Sequence, residues 1–326
     1  MSIYIAIPSM FDNQLPFTVE EAISQADSPE ELSIHVVFMD VADSFVSSYP
    51  NFFEEKVKPL EKHPQVSLKY YKVGEYVPSV GFGRKEALSM YNGQDHILQI
   101  DSHTKFEKGW DTILIKMYKE ALEETKNEKT ILTAYLPAYE HDDANIRGYF
   151  GKTQLAKFPF FLFKFRFDGG LPSWSDKNLV HGEPSREELY VPCVKFNAQF
   201  AFSNKHFYEN SGLPETVIFW EEELIQTMNL LDAGFSLVFP NQAVPLAHLF
   251  HNNVNQDIRS NSYRVSGANP KGLPSHEYIK EIRDSYFAFI EAPENNAKVD
   301  RFYSYSRVHP VYGPYLEHYI PSDYNR

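Results

Sequence analysis

The chain has 326 residues, 43% of them hydrophobic and 23% charged, with a formal net charge of −13. That length is enough for a large domain with a buried core. The acidic balance excludes a broadly basic nucleic-acid surface, leaving only a local basic stretch at Lys152, Lys157, Lys164 and Arg166. Cys193 is the only cysteine, so no intrachain disulfide can form and a reducing compartment is expected. The opening M-S-I-Y-I-A-I-P-S enters a strand without a basic-then-apolar leader, and no apolar run is long enough to span a bilayer. We therefore expect a soluble, cytoplasmic protein with no membrane partner.

Strand and helix patterns alternate through the first half. Strands are predicted at Ser2 to Pro8, Leu32 to Asp40, Val66 to Val73, His96 to Ile100 and Thr130 to Leu136. Between them, helical periodicity covers Phe17 to Ala26, Asn51 to Lys62, Phe82 to Tyr91 and Gly109 to Lys126. This order calls for an α/β fold, a mainly parallel sheet with helices on both faces. From Ala138 to Pro192 the period is lost, and Gly, Pro and aromatic residues read as an insertion or binding loop. A strand is expected again at Val194 to Ser203, a helix at Ile218 to Asp232, a strand at Phe235 to Phe239 and a helix at His276 to Ile290. The Tyr-rich tail from Arg301 is expected to wrap against the main domain. We expect a domain over residues 1–250, with 138–192 inserted, and an extension over 251–326 packed on it.

Parallel sheets bind ligands at the carboxyl ends of their strands, which gathers Pro8, Ser9, Asp40 and Asp101-Ser102-His103 around one crevice. Residues i and i+2 of an extended chain share a side, so Asp101 and His103 can aim one oxygen and one nitrogen at a divalent cation carrying a diphosphate. The alternative is that Asp101 and Ser102 merely end the strand and cap the next turn of chain. In I-P-S-M-F-D-N-Q-L, Ser9 and Asp12 could bond a nucleobase or ribose, or form an ordinary strand-to-helix turn. Arg84, in G-F-G-R-K-E-A-L, could clamp a diphosphate or lie solvated at the surface. His248 or His251, after the last strand, could supply a third metal ligand.

These segments resemble glycosyltransferase family 60, the polypeptide N-acetylglucosaminyltransferase-like enzymes, and more distantly the polypeptide GalNAc-transferases. The resemblance runs through I-P-S-M-F-D-N-Q-L-P-F-T, the G-F-G-R-K-E-A-L helix with its L-Q-I-D-S-H core, and W-E-E-E-L-I-Q-T-M-N-L-L-D-A-G-F-S-L-V-F-P followed by A-H-L-F-H. It covers about the first three quarters of the chain in order. It implies a GT-A fold, a UDP-sugar donor, retention of anomeric configuration, and Mn²⁺ or Mg²⁺ held by Asp101, His103 and His248. Pro8, Ser9, Asp12, Arg84, Asp101 and Ser102 are then expected around the donor. Glu222 is expected to face the sugar or the acceptor hydroxyl, with Glu221 and Glu223 solvated. Where the family carries Gly-Gly-Phe, this chain has N-A-Q-F, so Asn197 and Gln199 are expected beside the donor sugar. The resemblance leaves the acceptor open: a protein side chain, or a hydroxymethylated DNA base reached through the Lys152 to Arg166 stretch. A non-catalytic nucleotide-sugar-binding module is the third reading.

Overall fold

The computed structural model describes residues 1–40, 51–77, 79–136, 139–141, 146–148, 164–168, 171–175, 189–193, 195–217, 221–240, 242–249 and 275–306. In chain order it begins with β1 (Ile3–Met10), α1 (Leu15–Ser24), β2 (Leu32–Met39) and β3 (Val66–Tyr71). Next come α2 (Val80–Leu88), β4 (His96–Ile100), β5 (Thr104–Phe106), α3 (Trp110–Thr125) and β6 (Thr130–Thr133). Two hairpins succeed them, β7 (Tyr139–His141) with β8 (Ile146–Gly148) and β9 (Lys164–Asp168) with β10 (Leu171–Ser175). The chain continues with β11 (Tyr190–Pro192), β12 (Phe200–Ser203), α4 (Lys205–Asn210), α5 (Glu221–Asp232), β13 (Ser236–Pro240), β14 (Leu246–His248), α6 (Ser275–Glu291) and α7 (Asn296–Ser306).

Eight strands form one sheet in the order β11-β13-β6-β12-β4-β1-β2-β3. The pairs β4–β1, β1–β2, β2–β3 and β13–β6 are parallel, whereas β12 runs antiparallel to both its neighbours and β11 antiparallel to β13. The mostly parallel α/β sheet expected from the alternation is therefore present. Side chains on β1 divide by parity. Ile3, Ile5 and Ile7 join the core under α1 and α3, with Val19, Trp110, Leu114 and Met117. Tyr4 and Ala6 join the opposite layer with Ala87 of α2, Leu224, Ile225 and Met228 of α5, and Tyr286 and Phe302 of α6 and α7.

Three local expectations change. Asn51 to Lys62 is not a regular helix but a π-turn at Phe53–Val57 followed by a 3₁₀ turn at Lys58–Lys62. Pro59 explains the break, since it has no N–H to donate and its ring clashes with the carbonyl four residues back. The strand expected from Val194 shrinks to β12. The tail expected to wrap from Arg301 begins inside α7, and beyond Ser306 it lies outside the described residues. The 138–192 insertion lies outside them too, apart from the two hairpins and residues 189–192; so do Lys152, Lys157 and His251. Among the described residues no helix is long and apolar enough to cross a membrane.

Candidate active site

β4 and β1 lie side by side and parallel, so Asp101-Ser102-His103 and the turn after β1 leave the sheet at the same edge. Just beyond, β5 pairs antiparallel with β14 and sets Thr104 opposite His248. The Leu249 amide donates to the His103 carbonyl at 3.1 Å, closing the ribbon. In this way His248 reaches Asp101 across 147 positions of sequence. Asp101, His103 and His248 each present a ligand atom within 4.8 Å of the others. The Nε2 atoms of His248 and His103 lie 3.0 and 3.8 Å from Asp101 Oδ2, and the two rings meet edge to face with centroids 4.5 Å apart. One carboxylate and two imidazoles suit a first-row divalent cation such as Mn²⁺ better than Mg²⁺, which prefers oxygen ligands.

Arg84 sits behind this cluster rather than in front of it. Ser79 caps α2 by accepting from the Phe82 amide, and Gly81 lets the helix press against the 214–217 segment. An added Cβ at Gly81 would stand 2.1 Å from the Pro214 carbonyl oxygen. Gly83 faces Pro8 in the same way, at 3.1 Å, so Pro8 serves as packing for α2. From that seat the buried guanidinium donates Nε to Glu222 at 2.8 Å, Nη1 to the Ile100 carbonyl at 2.9 Å, and Nη2 to Asp101 at 2.7 Å and to the Ala198 carbonyl at 3.0 Å. The expected diphosphate clamp is thus an inward hub. Burial disfavours its charge, but Glu222 and Asp101 outweigh that and raise its pKa. Burial likewise opposes ionisation of Asp101, yet Arg84, His248 and His103 hold its carboxyl far below the usual range.

Other expectations are redirected by burial. Ser9 and Asp12 are buried, with Ser9 Oγ 3.4 Å from the Asp12 amide. Asp12 Oδ1 accepts from the Gln14 amide at 2.8 Å, while Oδ2 accepts from Ser102 Oγ at 3.1 Å and faces His103 Nδ1 at 2.6 Å. Both residues therefore turn inward instead of offering groups to a base or ribose. Asp40, also expected at the crevice, accepts the Tyr70 hydroxyl at 3.1 Å.

Glu222 is buried against Arg84, so it backs the site instead of opening onto it; burial raises its pKa, against the pull of Arg84. Glu221 is buried and Glu223 pairs with the buried Lys195, so neither is the solvated residue expected. Lys195 also lies 3.3 Å from the Tyr135 hydroxyl. Burial lowers its pKa while Glu223 opposes the shift. Lys195 was not among the expected site residues; its signal in the sequence is a charge within the alternating stretch V-K-F-N-A-Q-F.

Asn197 and Gln199 stand before β12, in a turn closed by the Phe200 amide on the Asn197 carbonyl at 3.3 Å, and not on the strand expected from Val194 to Ser203. Asn197 Oδ1 accepts from the Gln199 amide at 3.3 Å and Gln199 Oε1 from the Leu136 amide at 3.0 Å. Backbone donors fix both carbonyl ends. The intervening Ala198 carbonyl joins the turn to Arg84 and hence to Asp101.

The sequence model of the glycosyltransferase (GlcNAc) family matches residues 78–266, more than half of the chain. Among solved structures, GalNAc-T7 with UDP, GalNAc and Mn²⁺ is similar at a TM-score of 0.54 and 11% identity, over 95% of this chain and 59% of that one. S. aureus TarS gives 0.43 and 12%, over 91% and 45%. The mannosyltransferase PcManGT from Pyrobaculum calidifontis, in complex with GDP-Man and Mn²⁺, gives 0.43 and 11%, over 93% and 73%. The chain thus spans 59% of the length of GalNAc-T7 and 45% of that of TarS. The likeness to GalNAc-T7 shows a shared GT-A fold. A search of the curated proteins finds no match.

Proposed function

Given that the chain belongs to the glycosyltransferase (GlcNAc) family, we propose that it is a metal-dependent, retaining enzyme that moves a sugar from a UDP-sugar to an acceptor hydroxyl. The observation that carries this reading is the meeting of Asp101, His103 and His248 at the carboxyl edge of the sheet. Mn²⁺ bound by these three would neutralise the diphosphate as it takes on the electrons of the departing glycosidic bond. UDP and Mn²⁺ in GalNAc-T7, which shares the fold, support that assignment.

The chain's own residues then divide the labour. Arg84 keeps Asp101 ionised and oriented through the bond to Oδ1, leaving Oδ2 turned to the two histidines. Glu222 fixes the guanidinium from the other side, so the hub arrives preorganised and needs no rearrangement when charge develops. The sugar C1–phosphate bond breaks, a new bond to the acceptor oxygen forms, and the hydroxyl proton is released. A protein hydroxyl is the acceptor class that the net charge of −13 favours over DNA.

The test is mass spectrometry of candidate protein and hydroxymethylated-DNA acceptors incubated with a panel of UDP-sugars and Mn²⁺. A mass shift of one sugar that disappears in chelator and in His248→Ala is expected. Full turnover in chelator refutes the metal assignment, and a shift confined to DNA refutes the acceptor class.

A further inference from the structure

We infer that Asp12 is a positioning residue for the metal site: it fixes His103 in the tautomer whose Nε2 lone pair faces Asp101 and His248. The inference rests on the metal reading above. It replaces the sequence expectation that Asp12 contacts nucleotide.

Three observations support it. First, the Asp12 carboxylate has donors on both oxygens, the Gln14 amide on Oδ1 and Ser102 Oγ on Oδ2. A carboxylate held by donors on both sides acts as an acceptor, so at 2.6 Å the proton lies on His103 Nδ1. In the neutral ring, Nδ1–H donated to Asp12 leaves the lone pair on Nε2, and Nε2 is the nitrogen aimed at Asp101. Second, the arrangement is buried: Asp12 and His103 are each about 3% exposed, so water does not compete for the bond. Third, the backbone is bent to make it. Phe11, immediately before Asp12, has φ of 45°, a conformation that a bulky side chain rarely adopts. Its ring is fastened between Phe38 and Phe52, with centroids 5.9 and 5.4 Å away, and its amide donates to the Met39 carbonyl at 3.1 Å. Strain of this kind persists where surrounding packing over-determines it. Here it turns the chain leaving β1 back across the end of β4.

A histidine ligand that donates its second ring nitrogen to a carboxylate is oriented and made more basic toward the metal. The loop after β1 therefore acts on the metal through His103 rather than on the nucleotide directly.

The experiment uses Mn²⁺ alone, with the full chain. Free Mn²⁺ is measured by electron paramagnetic resonance for the wild type and for Asp12→Asn, which keeps the shape of the side chain and removes its charge. The expected result is a loss of affinity of about 10- to 100-fold in Asp12→Asn with the circular-dichroism spectrum unchanged. In parallel, long-range ¹⁵N–¹H NMR of the metal-free wild type, with His103→Gln used to assign the signal, is expected to show the Nδ1–H tautomer at His103. That readout decides the matter even where Asp12→Asn fails to fold. Equal Mn²⁺ affinity in the two proteins, or an Nε2–H tautomer at His103, overturns the role of Asp12 while leaving the enzyme assignment intact. Absence of Mn²⁺ binding by the wild type overturns the metal reading and this inference with it.

Discussion

Replacing Arg84 by methionine removes a cation shared by Asp101 and Glu222, and its cost can be worked from the contacts. Glu222 is buried and Asp101 is only partly open, so each loses its guanidinium partner in a poorly solvated place. Breaking a buried ion pair by deleting one member costs about 3–5 kcal/mol. The Ala198 carbonyl keeps Gln99 Nε2 at 3.3 Å, which limits the further loss from unpaired carbonyls. We take about 4 kcal/mol. At about 2.1 cal/mol/K per residue, the unfolding entropy of a 326-residue chain is about 0.7 kcal/mol/K, so Tm falls by about 6 °C. An exposed, solvated arginine would move it by less than about 1 °C, because surface substitutions stay within about 0.5 kcal/mol. Scanning calorimetry of Arg84→Met, Glu222→Gln and the double variant measures both the loss and the coupling. The double variant should lose less than the sum of the singles, since Glu222→Gln removes the charge that Arg84→Met strands. A shift under about 1.5 °C, or strict additivity, refutes the hub.

Three further outcomes are expected. Gly81→Ala should destabilise by about 1–3 kcal/mol or more, because the new Cβ meets a backbone oxygen at 2.1 Å; an unchanged Tm refutes the close approach of α2 to Pro214. His35 is buried, with Nδ1 2.8 Å from Ser67 Oγ, and burial lowers its pKa to about 4, with Lys69 adding to the shift. Its folded pKa lies below the unfolded value of about 6.5, so it disfavours folding as pH falls and the unfolded state takes up the proton first. Stability should drop by about 2 kcal/mol between pH 7 and 5, and His35→Asn should flatten that slope; equal slopes in a pH series of thermal melts refute it. Replacing Asn197 and Gln199 together by glycine should change the preference among UDP-sugars, read by competition with UDP alone. A fall in Tm with the preference unchanged would assign both amides to the turn.

The alternation of β1 to β4 and β6 with α1 to α3, and the Asp101-Ser102-His103 step off the end of β4, are readable from the sequence because they are local. Alternation at period two, helical spacing and a polar break after an apolar run depend only on neighbouring residues. Pro59 is an equally local signal, and it is what breaks the helix expected over Asn51 to Lys62. The rest depends on which distant groups meet. Residue types alone left His248 and His251 open and only the family resemblance named His248; the β5–β14 register is what brings it to Asp101. Ser9 and Asp12 look like ligand contacts in a turn motif, but the φ of Phe11 and the packing of its ring turn Asp12 onto His103. In the E-E-E that opens α5, Glu222 reads as facing the sugar or the acceptor and Glu221 and Glu223 as solvated. Glu222 and Glu223 instead enter ion pairs, one buried and one partly buried, because α2 delivers Arg84 to Glu222 and the turn before β12 delivers Lys195 to Glu223. A charge has no fixed meaning along the chain, because its free energy is set by the partner and the water it keeps or loses, and both are chosen when the sheet closes.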